Sequence, residues 1–135
     1  MKKKLQVLSF TDSEKCNRTY SIVLISIALI VIIAAVYIQV GNYEFTNYDD
    51  PDYVTQNFHV SSGITGKNII WAFTSVEKNN WHPITWVSHM LDAELFGLNP
   101  GLHHLHSLLL HAGSVMLLFL ALQRMSRRLW PSART

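Results

Sequence analysis

The chain has 135 residues, a small formal charge of +2, nearly half its residues hydrophobic and a single cysteine, Cys16. One cysteine excludes an internal disulfide, and the absence of a basic surface interleaved with aromatics excludes nucleic acid as a partner. No internal repeat, low-complexity tract or glycine-rich phosphate loop is present, so nucleotide-binding loops and repeat scaffolds are excluded for this stretch as well.

Residues 1–20 form a basic N-terminal segment carrying Lys2, Lys3, Lys4, Lys15 and Arg18. Residues 21–40, from Ser21 to Val40, then run without a charge and are dominated by Ile and Val. A bilayer core takes about 20 apolar residues of helix to cross. The run is too long for a strand, and in lipid the backbone must satisfy its own hydrogen bonds by forming a helix. The run also exceeds a signal-peptide core of about 7–15 residues, and Gly41-Asn42-Tyr43 is a poor cleavage site, which favours a retained anchor.

Residues 41–104 read as a structured loop rather than a linker. The segment holds only Lys67 and Lys78 against seven acids. Thr65 followed by Gly66 to Phe73 reads as a capped short helix. Pro83 to Leu95 reads as a second helix, closed by Gly97 in a left-handed cap. In it Ile84, Val87 and Leu91 recur at helical spacing, whereas Thr85, Ser88 and Asp92 fall at other angles. With Trp81 and Trp86 suited to the headgroup zone, this predicts an amphipathic helix lying along a membrane surface, or alternatively packing against other spans.

Residues 105–123 form the second apolar span, interrupted by His106, His111 and two serines. Asn99 is placed to cap it and Pro100 to occupy its first position. A helix from Pro100 to Met125 would be about 39 Å long. Residues 124–135 close the chain with Arg124, Arg127, Arg128 and Arg134, so nine of the eleven basic residues flank the outer ends of the two spans. The positive-inside rule then places both termini in the cytoplasm and residues 41–104 outside. The predicted fold is therefore an all-α membrane hairpin: two transmembrane helices joined by a helical extracytoplasmic loop.

Three features in that loop carry chemistry. Asp49 and Asp50 follow the first span closely; a carboxylate there can act as general base toward an acceptor hydroxyl, or help to hold a divalent cation against a phosphate leaving group. Asp-Asp-Pro-Asp is equally good turn chemistry. His103, His104, His106 and His111 lie on or beside the second span. His104 and His111 share a helix face, as do His103 and His106, which three residues separate. Such rings can donate hydrogen bonds to a phosphate or bind metal or haem. Trp81-His82-Pro83-Ile84-Thr85-Trp86 offers aromatic rings beside a histidine, suited to a sugar or lipid headgroup and equally to interfacial anchoring.

Phe45-Thr46-Asn47-Tyr48-Asp49-Asp50-Pro51, Asn57, Asn80 to Trp86, Phe96-Gly97-Leu98-Asn99-Pro100 and His103-His104-Leu105 occur in this order. The ordered string resembles the N-terminal part of bacterial membrane proteins with C-terminal tetratricopeptide repeats. Those are similar to the tetratricopeptide-repeat protein O-mannosyltransferases of the GT-C class. The likeness runs from about Tyr43 to Trp130. It implies a multi-span glycosyltransferase of the bacterial inner membrane that takes sugar from a polyprenyl-phosphate-linked donor and passes it to a protein or glycan acceptor. In that class the first outer loop bears an acidic motif at the active site, so Asp49 or Asp50 would be the base. Trp81, His82, Thr85, His103 and His104 would be the substrate-binding positions. A divalent cation is compatible with the sequence but not required by it.

Members of that family continue through further spans and a repeat domain, whereas this chain stops at Thr135. The resemblance thus implies an N-terminal fragment, inactive alone, because two spans cannot enclose a lipid-linked donor. Two other readings stand beside it: a non-catalytic membrane subunit that docks through its loop, and a metal- or haem-binding membrane protein using His104 and His111.

Overall fold

Five α-helices carry the fold, α1 (Lys2–Tyr37), α2 (Phe58–Ser61), α3 (Gly66–Thr74), α4 (Pro83–Phe96) and α5 (Pro100–Leu129). The structure is a computed structural model that describes residues 2–129, with side chains for 16–126, 128 and 129. The side chains of Lys2, Lys3, Lys4, Lys15 and Arg127, and the tail from Trp130 through Arg134 to Thr135, lie outside the described residues. Among the described residues every regular element is helical.

Two stretches, Cys16–Asn42 and Pro100–Ser126, are long and apolar enough to cross a membrane. The first covers the expected span, but α1 begins well before it and gives way at Tyr37 to a 3-10 turn, Ile38–Asn42. Ile25, Ile27, Ile30, Val31 and Ile32 all stand exposed along α1, and Leu109, Leu110, Leu117 and Leu118 along α5. A soluble monomer rarely leaves so much contiguous apolar surface in water. At its start α5 is capped as expected, with Asn99 Oδ1 accepting the amide of Leu102 at 3.2 Å. The helix runs on to Leu129 rather than ending near Met125.

The chain divides into two compact units, one of them Ile38–Leu110 and the other the outlying parts of α1 and α5. In the outlying unit the ring of Tyr37 stands edge-on to His111, with centroids 5.8 Å apart.

The Ile38–Leu110 unit has its own core: Val60, Ala72, Trp86 and Met90 are fully buried, with Tyr53, Trp71 and Val87 packed around them. Burying a side chain of this size contributes about 1.5–3 kcal/mol. Local chemistry places each short helix. After a single π-helical turn, Pro51–Thr55, the side chain of Asn57 caps α2 by accepting from the amides of His59 and Val60. Thr65 Oγ1 caps α3 through the amide of Asn68 at 3.1 Å, as the sequence predicts. Buried Asn68 ties the two together, donating to Ser62 Oγ and to the carbonyl of Gly63 and accepting from His59 Nδ1.

Helix α4 has three faces. Pro83, Trp86, Met90 and Ala93 are buried. Ile84, Leu91 and Leu95, which recur on a second line, are exposed, Ile84 to 71%. The apolar periodicity read from Ile84, Val87 and Leu91 therefore marks the outer face, with only Val87 turned partly inward. Asp92, set at another angle from that apolar line, is 2% exposed. It occupies the third face, with His89, opposite the first turns of α5. Gly97 closes α4 at φ 60°, ψ −141°, a region essentially reserved for glycine and distinct from the left-handed cap expected there.

Candidate functional site: an aspartate among histidines

Two short spacings build the site. His89 and Asp92 lie three residues apart on α4, and His103 and His106 three apart on α5, so each pair shares one face of its helix. The turn at Gly97 to Asn99 brings the two faces together within the Ile38–Leu110 unit. His89 Nδ1 and His103 Nδ1 each lie 4.0 Å from Asp92 Oδ2. His106 Nδ1 lies directly against Asp92 Oδ1.

One hydrogen bond fixes the chemistry of His103. Its Nε2 is 2.8 Å from the carbonyl oxygen of Gly97. A carbonyl only accepts, so Nε2 carries the proton, and in the neutral ring Nδ1 keeps its lone pair toward Asp92. His103 is 4% exposed, with the ring of Phe45 edge-on to it at 5.4 Å. His89 Nδ1, Asp92 Oδ1, His103 Nδ1 and His106 Nδ1 are all buried without a hydrogen-bond partner of sound geometry. Unpaired buried polar atoms are rare in folded proteins, because each forfeits its hydration.

The pKa of His89 is lowered, chiefly because burial penalises the imidazolium. Asp92 opposes that shift, His103 adds to it, Asp50 opposes it and His82 adds to it. Burial thus favours the neutral form of His89.

Of the residues singled out from the sequence, His103 meets Asp92 beside His89, and Asp50 and His82 influence His89 electrostatically; the sequence reading passed over His89. Asp50 Oδ2 accepts the amide of Thr46 at 2.7 Å and its hydroxyl at 3.2 Å, bonds that aim the carboxylate. His82 stacks on Tyr53, centroids 5.5 Å apart, and its ring leans on Trp86 at 4.8 Å. Tyr53 in turn stacks on Trp86 at 4.9 Å.

The other expected positions lie outside this group. Asp49 is exposed and serves the fold through its carbonyl, which accepts the amide of Tyr53. Neighbouring Asp52 pairs with Lys78 at 2.8 Å; that bond and Asp52's charge raise the lysine's pKa, though so exposed a pair adds little to stability. Trp81 is exposed, its Nε1 donating to the carbonyl of Phe73 at 3.1 Å. Thr85 is exposed on the first turn of α4. His104 Nε2 reaches toward the carbonyl of Glu44 at 3.4 Å, and its ring toward Phe45. With His104 held there and His111 against Tyr37, each side chain of that expected metal pair is engaged separately.

His89 and Asp92 were legible only in retrospect. A His-x-x-Asp on one helix followed by a His-x-x-His on the next is the signal, and it needs the intervening turn to have meaning. Comparisons with protein families, with characterised proteins and with solved structures found no match to the chain.

Proposed function

We propose that the chain is the N-terminal part of a membrane glycosyltransferase that takes a sugar from a polyprenyl-phosphate donor at the outer face of a bacterial inner membrane. The observation that carries this reading is the setting of Asp50. Two donors from Thr46 hold one carboxylate oxygen, while the second oxygen bears neither bond and is available to take a proton. In the chain the carboxylate follows closely after an apolar helix on which a lipid-linked substrate would lie.

In this reading α1 and α5 cross the bilayer, and residues 41–104 stand outside it. Asp50 removes the proton of the acceptor hydroxyl as that oxygen bonds to the anomeric carbon of the sugar. The bond from that carbon to the phosphate oxygen breaks, and its electron pair leaves with the polyprenyl phosphate. Asp50 is favoured over Asp49 because its carboxylate is positioned, whereas Asp49 is turned to solvent. Trp81, Thr85 and His104 present an exposed ring, a hydroxyl and an imidazole to sugar or phosphate. His82 and His103, packed into the unit, form its wall. Two helices leave a lipid-linked donor open on most sides, so the chain acts together with further spans.

The test is made where such spans are supplied. Membranes from source cells whose own copy carries Asp50→Asn should transfer no labelled hexose from polyprenyl phosphate, with the chain's abundance unchanged. Transfer undiminished by Asp50→Asn contradicts the proposal.

A further inference from the structure

The donors between α4 and α5 include His89 and Asp92, to which the glycosyl-transfer reading gives no role. His89, Asp92 and His103 each offer one ligand atom, and these atoms all lie within 4.8 Å of one another. Two of the three side chains, Asp92 and His103, are more than nine-tenths buried. Each of His89 Nδ1, Asp92 Oδ1 and His103 Nδ1 is buried without a hydrogen-bond partner, and polar atoms so placed forfeit their hydration unless something binds them.

We infer that His89, Asp92 and His103 bind one divalent transition-metal ion, zinc, which pins α4 to the first turns of α5. The donor set selects the ion. Two imidazoles and one carboxylate suit zinc with a fourth position left for water, whereas magnesium and calcium take oxygen sets. Zinc imposes no geometry of its own, which fits donors at unequal separations. Bonds of roughly 2.0–2.2 Å put ligand atoms about 3.5 Å apart. The two 4.0 Å separations to Asp92 Oδ2 therefore close with small side-chain rotations.

The surroundings are those of a metal ligand. His103 donates its distal N–H to a backbone carbonyl, the usual outer partner that aims a ligating imidazole. His106 Nδ1 lies directly against the other oxygen of Asp92. A shared proton could satisfy Asp92 with one histidine, but would leave the other ring facing the same oxygen unpaired. The inference does not rest on the glycosyl-transfer reading, and each can fail alone.

The full chain, purified in detergent without a histidine tag, is loaded with zinc sulfate, desalted and assayed for metal. One zinc per chain is expected. Loss of an outer partner costs about 10–100-fold in metal affinity, so Asp92→Asn and His89→Ala should each weaken zinc binding at least tenfold. His111→Ala, remote from the donors along α5, should retain it. X-ray absorption on the zinc-loaded wild type, which needs no variant to fold, should show two or three imidazoles about the metal. An oxygen-only shell, no retained zinc, or zinc held equally by Asp92→Asn would overturn the site. One equivalent of iron taken up in preference to zinc would overturn the choice of ion.

Discussion

His103 donates through Nε2 to the carbonyl of Gly97 at 2.8 Å, so the residue that ends α4 decides which nitrogen of α5 faces Asp92. Helix ending and site geometry are therefore one feature. Gly97 can hold its carbonyl there because its backbone sits at φ 60°, ψ −141°, which other residues adopt only under strain.

Replacing Gly97 with alanine should destabilise the Ile38–Leu110 unit by about 1–3 kcal/mol and release His103 from its tautomer. Denaturant unfolding in detergent, followed by tryptophan fluorescence, reads the first effect. The nitrogen chemical shifts of the His103 ring read the second. Unchanged stability and an unchanged tautomer would show that another residue can hold this turn.

Gly101 is required for a different reason. A Cβ at this position would collide with the carbonyl oxygen of Gly41, which is backbone and has no rotamer by which to move aside. Gly101→Ala should therefore cost about 1–3 kcal/mol, as overpacking does. Gly66→Ala meets nothing within 4 Å and is the matched control in the same unfolding measurement.

Trp86 is the centre of the aromatic stack, fully buried against Tyr53, Trp71 and His82. Trp86→Ala should lose about 3–5 kcal/mol and with it the near-ultraviolet circular dichroism of the unit. The far-ultraviolet signal should fall much less, since α1 contributes nothing to that core.

How far the sequence reaches is clear from these elements. Both apolar helices, the Thr65 cap, the Pro83 start and the Asn99 cap follow from residues close in the chain, because span length and capping are local properties. The buried face of α4 does not. Ile84 and Leu91 recur at helical spacing, yet the face that the unit buries carries Trp86 and Met90, which pack with Val60 of α2 and Ala72 of α3. The setting of Asp92 is not local either: only the turn at Gly97 shows that histidines face it. Of the candidate residues, only His103 is brought against Asp92 together with His89, while Asp50 is held by Thr46 and His82 by Tyr53 and Trp86.

The proposed topology has a direct readout. Tyr48 is 84% exposed and Cys16 is the sole cysteine. In intact cells a membrane-impermeant maleimide should label Tyr48→Cys in a Cys16→Ser background. It should leave native Cys16 unlabelled until the membrane is opened. The reverse pattern would invert the hairpin and remove Asp50 from the outer face.

The most direct measurement on the central claim is photolabelling of the purified chain in lipid nanodiscs. A photoreactive polyprenyl-phosphate hexose is used, and the crosslinked peptides are mapped. The account predicts crosslinks within Ile38–Leu110, near Asp50, Trp81 and His104, that unlabelled polyprenyl-phosphate hexose displaces and polyprenol alone does not. Crosslinks confined to the apolar stretches of α1 and α5, displaced equally by polyprenol, would contradict it and leave a membrane protein that meets the lipid without reading its sugar.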